Sequence, residues 1–99
     1  MIDDNILHMC FTFHSLNHKI GESLDIIKEI LINDSEDFQQ EYIKAKILSD
    51  QSKKIRVEIN SLCVYEDLCL LYLALAQCLT DEDFIEADKM KNRIIKFNR

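Results

Sequence analysis

Apolar residues return every seven positions through the first third of the chain. Ile6, Phe13, Ile20 and Ile27 form one row; Met9, Leu16 and Ile30 form the companion row, with Ser23 its single lapse. That spacing is the seam of a coiled-coil-like helix and predicts one amphipathic helix from Met1 to Asn33. Asp3, Asp4 and Asn5 sit where a cap and first-turn acids belong. Toward its end the apolar face widens to include Leu24, Ile26, Leu31 and Ile32. Gly21, mid-helix, costs about 1 kcal/mol relative to alanine and marks a bend or a close contact with another helix. Thirty residues of helix would span about 45 Å, long for a chain of this size.

Asn33-Asp34-Ser35-Glu36 is the first break, and Asn33 with Glu36 has the spacing of a capping box. A second helix is expected from about Glu36 to Leu48, with Phe38, Tyr42, Ala45 and Leu48 on its inner side. Ser49 to Lys54 weakens the pattern, but without glycine or proline the reading favours continuity or a mild kink. A third segment, Lys53 to Leu79, brings in Ile55, Ile59 and Leu62 and enters the most apolar run of the chain. From Leu68 to Ala76 its only polar group is one tyrosine hydroxyl. A helix apolar on every side is buried on every side, in a core or in a membrane. A membrane span needs about 18–20 apolar residues. Glu66 and Asp67 on one side, and Gln77 and Thr80 to Asp83 on the other, cut this run to half that length. It therefore reads as the central helix of a bundle. Thr80 is expected to cap a last helix, Asp81 to Phe97, striped by Phe84, Ala87, Met90, Ile94 and Phe97.

Composition sharpens this to an all-α fold. The 99 residues include no proline and one glycine, which removes the usual punctuation of hairpins and turn-rich folds. The expectation is a single helical domain over 1–99, an antiparallel helical bundle or long helical hairpin of three to four helices with no β-sheet. The net charge of −6 lies entirely in residues 1–50, where ten acids face four bases; residues 51–99 carry eight of each. The basic cluster Lys89, Lys91, Arg93, Lys96 and Arg99 suits a helix C-terminus, and an acidic chain is a poor nucleic-acid binder. Cys10, Cys63, Cys69 and Cys78 lack the two-residue spacing of a zinc knuckle or redox pair. With no signal-peptide pattern at the N-terminus, the reading is an intracellular, cytoplasmic protein with unpaired thiols.

Asp34-Ser35-Glu36-Asp37-Phe38 echoes Thr80-Asp81-Glu82-Asp83-Phe84 at an offset of 46 residues, as two helical hairpins of similar plan would. Leu73-Ala74-Leu75-Ala76 followed by Asp83-Phe84-Ile85-Glu86-Ala87 resembles the hairpin of a tetratricopeptide repeat, with the step from Ala76 to Phe84 one residue short. The same segment, with Lys91-Asn92-Arg93-Ile94, resembles the UVR hairpin of excision-repair proteins. Each match covers about a quarter of the chain, and solenoids need about three repeats. Both families use the hairpin to bind other proteins, so the resemblance implies protein binding.

Candidate chemistry is thin. Cys10, His14, His18 and Glu22 follow at four-residue spacing, and two histidines at i, i+4 can share a zinc ion; the alternative is a solvated face. Glu66 and Asp67 point about 100° apart on a helix, which disfavours a catalytic dyad and favours pairing with a base on a neighbouring helix. No Gly-rich phosphate loop or nucleophile motif is present. The expectation is a protein that is not an enzyme and takes no cofactor or metal. It would be an adaptor, chaperone-like or inhibitory binder acting through the seam Ile6, Met9, Phe13, Leu16, Ile20 and Ile27. A partner helix or a second copy, as a homodimer, would cover that seam, with no direct nucleic acid and no membrane. Two alternatives are an acidic decoy of a nucleic-acid-binding protein and a small metal-binding helical protein.

Overall fold

A computed structural model describes residues 1–33, 39–63 and 65–97. They form α1 (Asp4–Ile32), α2 (Gln39–Leu62), α3 (Glu66–Thr80) and α4 (Phe84–Phe97), with no strand among them. Asn33 closes α1, its amide donating to the Glu29 carbonyl at 3.0 Å; Glu36, its expected capping-box partner, the inner Phe38 and the echo at 34–38 lie outside the described residues.

Asp3 starts α1 as the sequence suggests. Its extended backbone lets the carboxylate accept from the Asn5 and Ile6 amides at 3.0 and 3.1 Å, satisfying donors that have no partner within the helix. The Asp3 amide donates in turn to the Tyr72 hydroxyl at 2.9 Å, which ties the start of α1 to α3. Gly21 makes no close approach, for a Cβ there would meet nothing within 4 Å.

α1 and α2 form a long antiparallel hairpin, pinned midway by the Ser52 hydroxyl donating to Asn17 Oδ1 at 2.6 Å. α2 runs through Ser49–Lys54 unbroken, as the pattern favours. The expected helix from Lys53 to Leu79 is instead divided. α2 ends at Leu62, Tyr65 is extended (φ −123°, ψ 138°), and α3 begins at Glu66. Glu66 and Asp67 are first-turn acids facing the partial positive charge of a helix start.

Thr80 closes α3 rather than capping α4, its hydroxyl donating to the Ala76 carbonyl at 2.9 Å. Glu82 adopts the left-handed region (φ 59°). The Glu82 and Asp83 amides then bond the Leu79 and Cys78 carbonyls at 3.2 and 2.9 Å, a Schellman closure. The cap of α4 is Asp83, which accepts from the Glu86 amide at 3.3 Å.

The core gathers where α3 lies across the near half of the hairpin: Ile6 and Cys10 from α1, Ile59 from α2, Cys63 just beyond it, Cys69, Tyr72, Leu75 and Ala76 from α3, Ala87 and Ile94 from α4. α4 packs chiefly on α3, and Leu7 of α1 lines one cavity with its Phe84, Ala87 and Lys91. α3 is therefore not buried on every side: Leu70 is half exposed, and Leu71, Leu73 and Ala74 are half-buried. The molecule measures 56 × 28 × 17 Å with a radius of gyration of 16.6 Å, against about 13 Å for a compact domain of this length. The far half of the hairpin projects beyond its own core.

Candidate interaction surface

The histidine stripe disperses when folded. Cys10 is wholly buried among Cys69 and Cys63. His14 Nε2 lies 2.8 Å from the Leu73 carbonyl, and His18 Nε2 lies 3.0 Å from Glu22 Oε1 on the surface. Among the described residues no three histidine, cysteine or acidic side chains come together as a metal site. All four thiols are free. Burial, then the neighbouring Cys69, pushes Cys10 up to about 12 and Cys63 up to about 11; such thiols stay protonated and are poor nucleophiles. Cys69 is held by the Arg56 guanidinium and donates to Asn60 Oδ1 at 3.2 Å. Glu66 lies 3.8 Å from Arg56 at an exposed edge, the base on a neighbouring helix that the sequence suggests.

The seam residues divide between core and hairpin interior. Ile6 is buried, and Met9 and Phe13 pack against the core, so these three already serve the fold. Leu16, Ile20 and Ile27 are half-buried. Among them the fully buried positions are small, Ser23, Ala45 and Ser52, and Glu41 Oε2 is buried with no hydrogen-bond partner among the described residues. With small side chains at the fully buried positions and the large ones only half-buried, this half of the hairpin gains less from its own packing than the core does.

The α3-facing flank of the hairpin is legible from seven-residue rows, which keep one side of a paired helix. In α1, Cys10 and His14 face α3. In α2, Arg56 and Asn60 do. Stepping outward by sevens, the Cys10 row continues to Asn17, Leu24 and Leu31, and the Arg56 row to Ser49 and Tyr42. α3 covers only the near half of this flank. It leaves at a cleft of about 890 Å³ lined by Phe11, His14, Asn17 and His18 on α1 and Gln77, Thr80 and Asp81 at its own end. Beyond it Leu24, Leu31 and Tyr42 are 53%, 60% and 52% exposed. Sequence reasoning noted Leu24 and Leu31 as a widening of the apolar face. Only the packing of α3 shows that they continue a covered flank into an uncovered one.

A second open groove, about 720 Å³, runs between α3 and α4, with Leu70, Leu71, Ala74, Met90 and Phe97 along its floor and Asp67, Arg93 and Lys96 at its rim. The Phe97 ring lies 5.4 Å from that of Tyr65. No described helix is long and apolar enough to cross a membrane. No family model, no curated protein and no solved structure matches this chain.

Proposed function

We propose that this chain is a non-catalytic protein–protein interaction module, an adaptor, chaperone-like or inhibitory binder, that docks its partner on the far half of the α1/α2 hairpin. One observation carries the reading. The flank that α3 covers near the core continues outward as Leu24, Leu31 and Tyr42, each more than half exposed, over an interior whose fully buried residues are small. A helix laid there would extend the packing that α3 begins, the helix-in-groove mode of recognition. Contiguous apolar surface of this kind marks interaction sites in soluble proteins. Half-buried Leu16, Ile20 and Ile27 from the seam then support the surface from beneath.

The test is capture from the native cell type with the full chain, beside the Leu24→Asp/Leu31→Asp variant. Both side chains are exposed, so the variant keeps its helical circular dichroism. A stoichiometric protein held by the parent chain and lost by the variant is the expected result. The same proteins on both chains would place docking elsewhere.

A further inference from the structure

We propose that the partner segment is an amphipathic helix with acidic residues along the borders of its apolar stripe. This rests on the docking role above and deepens it through charge. The rows beside the apolar strip are basic: the His14 row continues through Gly21 to Lys28, and the Asn60 row through Lys53 to Lys46. Lys28, Lys46 and Lys53 are exposed, and none forms an ion pair among the described residues. No acid stands in these rows. Asp25 stands in the Phe11–His18 row, one row beyond Lys28, and Glu22 and Glu29 stand in the Ser15 row beyond that, with Glu22 engaged by His18.

Leu24, Leu31 and Tyr42 thus form an apolar strip bordered on both sides by lysine in a chain of net charge −6. Two copies set flank to flank would oppose lysine to lysine, which disfavours a homodimer through this face. An acidic helix matches it on both borders, and partly desolvated charge pairs fix its position and speed its approach.

Two labelled synthetic helices test this against the full chain by fluorescence anisotropy. They share leucines at i, i+3, i+4 and i+7; one carries glutamate on its borders and the other lysine. The glutamate helix is expected to bind at least tenfold more tightly, and to weaken as salt rises. Leu24→Asp/Leu31→Asp is expected to abolish binding, and Lys28→Glu/Lys46→Glu to reverse the preference, which a misfolded variant would not do. Equal binding of the two peptides, binding of neither, or stronger uptake of the chain by phosphatidylserine vesicles than by the glutamate helix would overturn the proposal. If the peptides fail while a cellular partner is still lost with the leucine variant, the charge inference falls and the docking role stands.

Discussion

Replacing Ile59 and Leu31 separately by alanine compares a position inside the fold with one on the open flank. Ile59 is wholly buried. The three carbons it loses account for about 2.4 kcal/mol of transfer free energy at ~0.8 kcal/mol each. The cavity left in the core adds about 1 kcal/mol, as large-to-small core changes do. Alanine's better helix propensity returns a few tenths of a kcal/mol, leaving a net loss of about 3 kcal/mol. Leu31 is 60% exposed. Less than half of the same transfer term applies to it, water fills the space, and the expected loss is about 0.5 kcal/mol. Urea unfolding followed by circular dichroism at 222 nm reads both, with an unchanged m-value confirming that the same surface is exposed. The melting temperature should fall by roughly 12–24 °C for Ile59→Ala and by less than about 5 °C for Leu31→Ala. Similar losses for both would show that the far half of the hairpin is packed in the isolated chain. The reasoning that leads to an open docking flank would then fail.

Further outcomes follow from the turn and the thiols. Glu82→Gly should stabilise the chain by about 0.5–1 kcal/mol in the same assay, because glycine enters the left-handed region without the Cβ penalty; a loss would mean that the Glu82 side chain contributes more than its backbone strain costs. With Ellman's reagent under native conditions, Cys78, the one thiol not fully buried, should react first, and Cys10, Cys63 and Cys69 only with unfolding; fast reaction of all four would contradict the core. Below about pH 9 the thiols of Cys10 and Cys63 are protonated in folded and unfolded chains alike. From their ordinary 9.0 up to about 12 and 11 the unfolded chain releases protons that the folded chain retains. Stability should therefore fall with rising pH across that window, and a Cys10→Ala/Cys63→Ala variant should show a shallower fall. An equal slope in that variant would assign the alkaline loss to other groups.

The helical class was legible because seven-residue rows and the lack of proline leave few alternatives, and Asp3, Asp4 and Asn5 marked the region of the α1 cap, a role that Asp3 takes. The division of the apolar run was harder to read. Leu62 to Tyr65 is apolar throughout, and no glycine or proline marks the joint. Only Glu66 and Asp67 signalled it, and acids inside an apolar run read equally well as partners of a base on a neighbouring helix, as a solvated edge or as a helix start. Thr80 misled because a hydroxyl can bond back to the i−4 carbonyl as readily as it can cap, while Asp83, three residues on, was placed to take the cap. At the candidate site, periodicity identified an apolar seam, Ile6 to Ile27, but not what covers it. Ile6, Met9 and Phe13 are used by the core because α3 crosses there, and Leu24 and Leu31 stay open because α3 is only 15 residues long. Coverage of one helix by another is a tertiary fact that a single row of side chains does not encode.

Hydroxyl-radical footprinting of the chain, alone and in its captured complex, tests the central claim most directly. Alone, Leu24, Leu31 and Tyr42 should be oxidised at the rates of exposed side chains while Tyr72, 1% exposed, is protected. In the complex, protection should appear at Leu24, Leu31 and Tyr42. Protection of these three in the isolated chain, or their unchanged oxidation in the complex, would contradict the account.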